Sequence, residues 1–297
     1  MNNYKWETRN KVLWNSYKEK VNTIEISEGI TKIGDYCFYG CIKIKTISFP
    51  ESVISIGNSA FEASHSLQNL TFWKNIQSIG QNPFIDCESL KTIIIHKENQ
   101  YFTFEDGCLF DINKTKLITY LTSNTRNNYI IPDSVTSILI FSFHTAYKLK
   151  TLIISKNVKT IYTLALFTMT NLFKYEVVNE NNYYTSIDGV IFTKDMKYLV
   201  RYPQANSSTT YIIPENVTTI KSYSFMSSSK IQSIIFPKTI QSIQNDVFSS
   251  ITSLKEILFL SQTLPSDGGN VFSSNTQNIS ILVRHDILKM KHSVLKI

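Results

Sequence analysis

Apolar residues recur along this chain at a spacing of 23. From Ile33 the step reaches Ile56 and Ile79, from Ile138 it reaches Ile161, and from Ile220 it reaches Ile243. The two larger gaps, Ile79 to Ile138 and Ile161 to Ile220, are both 59 residues, one period and a further 36. Three residues before each origin stand Ile30, Val53, Ile76, Val135, Val158, Val217 and Ile240. Five after it stand Phe38, Phe61, Phe84, Phe143, Leu166, Phe225 and Phe248; eleven after it, Ile44, Leu67, Leu90, Leu149, Leu172, Ile231 and Leu254. Fourteen after it stand Ile47, Leu70, Ile93, Leu152, Tyr175, Ile234 and Ile257.

These spacings predict elements. A stretch of the form LxxIxF puts its apolar side chains on one side of a short strand, with the intervening residues on the other. The VxxI pair is a second short extended segment. Between them, apolar positions at plus 4, 5, 8 and 11 have helical spacing and predict a short helix or 3₁₀ turn. A unit of 23 residues cannot bury its own apolar face, but stacked units bury one another. The predicted fold is an α/β repeat solenoid with parallel β-sheet and short helical turns, neighbouring strands lying about 4.8 Å apart.

The extra 36 residues are themselves duplicated: 101–135 aligns without gaps to 183–217, sharing Tyr101/Tyr183, Asp106/Asp188, Gly107/Gly189, Phe110/Phe192, Leu117/Leu199, Tyr120/Tyr202 and YIIP. Asp-Gly between two apolar runs predicts a hairpin, so the solenoid carries two β-hairpin insertions, at about 96–131 and 178–213. Asp106 and Asp188 then read as turn formers rather than catalytic acids. Residues 1–20 are expected to form an N-terminal cap with Trp6 and Trp14 over the first coil, 21–263 the repeats, and 264–297 a C-terminal cap over the last strand edge.

Composition narrows the function. Hydrophobic residues make up 42% of the chain, enough for a core. A net charge of +7 suggests nucleic acid, yet only four of the thirty basic residues are arginine (Arg9, Arg126, Arg201, Arg284) and the lysines are spread throughout. Base and phosphate readout favours clustered arginine, so we expect no nucleic-acid partner and a solvated basic surface, with at most weak attraction to anionic glycans or membranes. No run approaches the roughly 18 apolar residues of a spanning helix, so no transmembrane segment is expected. MNNYKWETRNKVLW lacks the apolar core of a secretory signal.

Cys37 and Cys41, four apart, raise a metal or redox site. Their equivalents in other units are Ala60, Pro83, Ser142, Ala165, Ser224 and Val247 for the first, and Ser64, Cys87, Ala146, Met169, Ser228 and Ile251 for the second. Small or apolar residues throughout favour structural thiols. Cys41 and Cys87, two coils apart, would be roughly 10 Å from each other, too far for a disulfide. The five histidines occupy unrelated unit positions, no hydrolase, zinc-protease or phosphate-loop motif occurs, and five glycosylation sequons (Asn69, Asn113, Asn206, Asn216, Asn278) are no more than chance gives. No catalytic residue, metal or cofactor is expected.

The candidate site is the strand face turned away from the core: Thr46, Ser48, Asn69, Thr71, Thr92, Ile94, Thr151, Ile153, Lys174, Glu176, Ser233, Ile235, Glu256 and Leu258. A solvated sheet rich in Thr and Ile would look similar. The row Ile94, Ile153, Ile235 and Leu258 favours a partner, because apolar side chains on a water-facing sheet suggest one. The hairpin tyrosines Tyr101, Tyr183, Tyr184 and Tyr202 are a second candidate, with packing against the solenoid wall as the plainer reading.

The units ITKIGDYCFYGCIKIKTISFPESV, VISIGNSAFEASHSLQNLTF and IQSIGQNPFIDCESLKTIIIH resemble the BspA-like leucine-rich repeats, also described as the Treponema pallidum type. DGVIFTKDMKYLVRYP and ILVRHDILKMKHS are similar to recurring elements of that family, over residues 21 to 292 in all. Glycine follows the origin only at Gly34, Gly57 and Gly80, a departure implying different bending in later units. The resemblance implies a leucine-rich repeat fold without catalytic motif, and a surface protein that adheres to protein or glycan partners. A cytoplasmic interaction scaffold is the alternative.

Overall fold

The computed structural model describes residues 5–12, 14–273, 278–283 and 295–296. The chain is a β-solenoid with parallel sheets, and it divides into two compact units. The first comprises Met1–Arg126, Pro132–Tyr147 and Thr160–Thr168; the second comprises Asn127–Ile131, Lys148–Lys159 and Met169–Ile297.

In the first unit, strands Thr23–Glu25, Thr46–Ser48, Asn69–Phe72 and Thr92–Ile95 form one parallel sheet, with Ile24 beside Ile47 and Leu70 beside Ile93. The VxxI segments form a second, Lys32–Ile33, Ser55–Ile56 and Ser78–Ile79. Phe102–Glu105 and Cys108–Asp111 pair antiparallel as a hairpin. Lys116–Tyr120 pairs antiparallel with the latter and parallel with Ser137–Ile138. The insertion thus supplies a coil strand as well as a hairpin.

The second unit repeats this plan. Asn128–Ile130, Thr151–Ile154 and Lys174–Val177 form one parallel sheet. The hairpin Tyr184–Ile187 with Val190–Thr193 leads through Tyr198–Arg201 to Thr219–Ile220, Ser242–Ile243 and Ser266–Asp267. Thr210–Ile212, Ser233–Phe236, Glu256–Phe259 and Ser280–Val283 form the other parallel sheet, closed by antiparallel Leu295–Lys296. Both ladders therefore run on into the segment expected to be a cap: Ile243 pairs with Asp267 and Ile257 with Ile281, a step of 24 rather than 23. The rest of that expected cap, 274–277, 284–294 and 297, lies outside the described residues, as does the side chain of Trp6.

The predicted helical crossing is a correction. Apart from two short 3₁₀ helices at Trp6–Lys11 and Asn15–Tyr17, no helix occurs among the described residues. The segment after each origin is instead a pair of turns, with a left-handed residue at plus 3 (Tyr36, Ser59, Asn82, Phe141, Leu164, Tyr223, Asp246) and again at plus 7 (Gly40, Ala63, Asp86, Thr145, Thr168, Ser227, Ser250). Backbone amides freed from helical bonding reach the next coil. Tyr36 N donates to Asn58 O at 2.9 Å, Phe38 N to Ala60 O at 2.7 Å and Gly40 N to Glu62 O at 2.8 Å. A left-handed non-glycine residue costs about 1–2 kcal/mol, and a net hydrogen bond returns about 1 kcal/mol. Three inter-coil bonds against two strained residues per coil, together with burial of plus 4, 5, 8 and 11, offset the strain.

The core is an aromatic file at plus 5. Phe38, Phe61 and Phe84 stack at centroid distances of 5.4 and 5.8 Å, and Trp14 covers the first of them at 5.6 Å. In the second unit, Tyr202, Phe225, Phe248 and Phe272 continue at 5.1, 5.7 and 5.3 Å. Buried rings of this kind contribute about 0.5–1.5 kcal/mol per pair beyond area burial.

Candidate partner-binding face

Each candidate residue lies on a strand whose alternate side chains enter the core, so strand parity turns it outward. The first sheet places Thr46, Ser48, Asn69, Thr71, Thr92 and Ile94 together. Here Thr46, Ser48 and Asn69 are exposed, Thr71 and Thr92 half-buried, and Ile94 is 52% exposed. This part of the face offers mostly hydroxyl and amide groups. At its start a groove of about 580 Å³ is lined by Thr23, Glu25, Ser48, Glu51 and Trp73 among others.

The second unit carries the remaining candidates on two separate sheets. Thr151 is buried, Ile153 half-buried, and Lys174 and Glu176 form an ion pair. The second hairpin packs along that last strand: Tyr175 N donates to Gly189 O, and Val177 N to Ser186 Oγ, both at 2.9 Å. A Cβ on Gly189, whose φ is +80°, would lie 2.8 Å from Lys174 Cβ, so a glycine is needed for the approach. On the other sheet Ser233, Ile235, Glu256 and Leu258 are all half-buried.

The most exposed apolar members of this face were missed from the sequence. Ile130 and Ile212 are 64% and 66% exposed. Ile130 is in register with Ile153, and Ile212 with Ile235, Leu258 and Leu282. Both sit in the YIIP of the duplicated segments, which the sequence reading placed in the hairpins. The signal was available: Tyr129 and Tyr211 stand 23 residues before Leu152 and Ile234.

Of the hairpin tyrosines, Tyr101 and Tyr183 are exposed, Tyr184 is half-buried with its hydroxyl 3.3 Å from Lys159 O, and Tyr202 is buried in the aromatic file. Asp106 and Asp188 occupy their turns with φ of 56° and 51°. Asp106 pairs with Arg126. Cys37, Cys41, Cys87 and Cys108 are buried, and none of them is in a disulfide. Burial pushes the Cys37 thiol up to about 12, Cys41 to about 11, and Cys87 upward as well. Among the described residues no three His, Cys, Asp or Glu side chains are placed to hold a metal, and no helix is long and apolar enough to cross a membrane.

The profile of the BspA type Leucine rich repeat region matches residues 15–129, 122–197 and 201–296, in six copies. The chain belongs to the BspA-type leucine-rich repeat family. Among solved structures, it is similar to a leucine-rich repeat protein from Eubacterium ventriosum (21% identity, TM-score 0.50, 89% of this chain and 67% of that one). It is similar also to the pneumococcal vaccine antigen PcpA (23%, TM-score 0.60, 87% and 58%). A leucine-rich cell surface protein from Faecalibacterium prausnitzii shares 22% identity at TM-score 0.59, over 82% and 62%. These likenesses show the fold, and the chain spans about three fifths to two thirds of those structures. No curated protein matches the sequence.

Proposed function

We propose that this chain is a non-enzymatic recognition module that binds a protein partner through its outward strand face. The observation that carries this reading is the row Ile212, Ile235, Leu258 and Leu282, apolar side chains in register on four adjacent strands, the first of them 66% exposed. The row spans roughly 14 Å at parallel strand spacing. Water-facing apolar area of this kind is relieved by association with another apolar surface. A glycan partner fits it less well, because the row offers no aromatic ring for a sugar to lie on. The setting we read is adhesion at a cell surface, supported by kinship of fold with a cell surface protein and a vaccine antigen.

The test is binding to panels of immobilised extracellular proteins and of glycans, comparing the parent chain with the double variant Ile212→Lys, Ile235→Lys. Protein ligands lost only by the variant support the reading. Binding confined to glycans, or untouched by the variant, overturns it. Four cysteines outside any disulfide favour a second reading, an intracellular scaffold. Antibody labelling of intact against permeabilised source cells separates the two.

A further inference from the structure

The strand Ser78–Ile79 is the last of its three-stranded sheet in the first unit. It pairs backward: the carbonyls of Ile54 and Ile56 accept from Gln77 N and Gly80 N, both at 2.8 Å. One period on from those acceptors stand Gln77 and Ile79, so their carbonyls face where the next strand would lie. That strand does not arrive. Lys116–Tyr120 comes next in the repeat, but both its edges are taken, by Cys108–Asp111 and by Ser137–Ile138. Among the described residues no donor answers the Gln77 and Ile79 carbonyls. Ile79 is left half-buried, where Ile33 and Ile56 are buried.

A groove of about 510 Å³ opens beside this edge, with Ile79, Phe102, Ile118 and Leu139 among its walls. Its charged lining residues are Asp111 and Lys116. The Asp111 carboxylate is engaged at both oxygens, accepting from Thr115 Oγ1 at 2.7 Å and Lys116 N at 2.6 Å. Lys116 is exposed and in no ion pair among the described residues, so the uncommitted charge of the groove is positive. The second copy of the duplicated segment shows how such an edge is answered. In the register that aligns 101–135 with 183–217, Lys159 stands for Gln77 and Tyr184 for Phe102. The Tyr184 hydroxyl donates to Lys159 O at 3.3 Å. Phe102 has no hydroxyl, and the first copy keeps its carbonyl open.

We propose that this groove is a second binding site, independent of the outward face, which takes an extended acidic peptide segment of a partner as an added strand. Amides along one edge of the peptide donate to Gln77 O and Ile79 O, which supplies affinity from the main chain. Apolar side chains at alternate positions enter between Ile79, Phe102, Ile118 and Leu139. A carboxylate beside them meets Lys116 and sets the preference for acid. The volume lies within the range of specific clefts, about 300–1,000 Å³, and admits a short segment rather than a domain.

The test is selection of a displayed library of random decapeptides on the full chain, followed by titration of the enriched sequences. Enrichment of alternating apolar residues beside an acidic one is expected. Each enriched peptide is then made with N-methyl groups on its odd or on its even amides. One set faces the open edge, so its methylation should weaken binding about tenfold, and the other set should be tolerated. Phe102→Tyr, which gives the first copy the hydroxyl of the second, should weaken binding about fivefold. Lys116→Glu should remove the preference for acid. No enrichment, equal tolerance of both methylation patterns, or unchanged binding by both variants would overturn the site. The double variant Ile212→Lys, Ile235→Lys should bind these peptides as the parent does; loss there would assign them to the outward face and refute the groove. If Phe102→Tyr fails to fold, the two methylation patterns decide.

Discussion

The carboxylate of Asp35 accepts a hydrogen bond from the backbone amide of Asn58 at 2.8 Å, one coil further on. Asn58 in turn accepts from Gln81 N at 2.7 Å. The residue before each donor is a glycine for a steric reason: a Cβ on Gly57 would lie 2.4 Å from Asp35 Oδ1 and 2.5 Å from Asp35 N. The same close approach returns at Gly268 beside Asn245.

Gly57→Ala is therefore expected to force these coils apart and cost about 1–3 kcal/mol, read as a lower denaturant midpoint. Asp35→Ala combined with Gly57→Ala should cost less than the sum of the two single changes. Simple addition would show that the clash is not with that carboxylate.

Leu149 is wholly buried at plus 11. Leu149→Asp places an unpaired charge among stacked apolar rows and should cost about 4 kcal/mol. Unchanged thermal stability would contradict the repeat register.

His144 gives the fold a pH dependence. Its Nδ1 faces Asn82 Nδ2 at 2.8 Å, so the ring nitrogen must accept and remain unprotonated. Burial lowers its pKa to about 4 from 6.5. Between those values the unfolded chain binds the proton that the folded chain refuses. Stability is then full above pH 6.5 and falls as the pH drops toward 4, by at most about 3 kcal/mol. His144→Gln should flatten that part of the urea-midpoint profile; an unchanged slope would assign the acid sensitivity elsewhere.

The thiols should be inert. With Cys37 and Cys41 pushed up to about 12 and 11, a disulfide reagent at pH 8 is expected to label none of the four cysteines in the native chain, and all of them in urea. Cys41→Ala should cost about 1 kcal/mol. Stoichiometric zinc in the parent protein would refute the structural reading of the pair.

The strands were legible because Ile33, Ile56 and Ile79 and their companions must face inward at fixed spacing, and the core allows no drift. The turn wall was not. Many of its left-handed positions hold residues such as Tyr36, Ser59, Phe141 and Leu164 that do not advertise positive φ, the Asn82, Asp86, Asp246 and Gly40 among them form no repeating signal, and the apolar neighbours imitate a helix. The bonds that fix these turns come from the next coil, which local pattern does not encode. Ile130 and Ile212 were concealed by duplication, since recognising the copied segment as a unit hid the strand at its end. The additional strands at Ser266–Asp267 and Ser280–Val283 were hidden by one extra residue in the step. Whether the outward row binds anything was not legible at all, because a solvated sheet of Thr and Ile has the same pattern.

On the turn wall alternate amides donate forward to the next coil, as from Tyr36, Phe38 and Gly40 in the first coils and from Phe225 and Asp246 in later ones. Peptide dipoles laid head to tail sum, as they do along a helix. Each such series thus has an electrical direction, with its acceptor end on the first coil. Trp14 answers this, its indole nitrogen donating to Cys37 O at 3.0 Å, while Arg9 and Lys18 sit over the ring of Tyr39 nearby. The tryptophan is a cap in the sense used for helices: it ends a one-way series of acceptors, and a phenylalanine in its place would cover the same apolar area while leaving that terminus open.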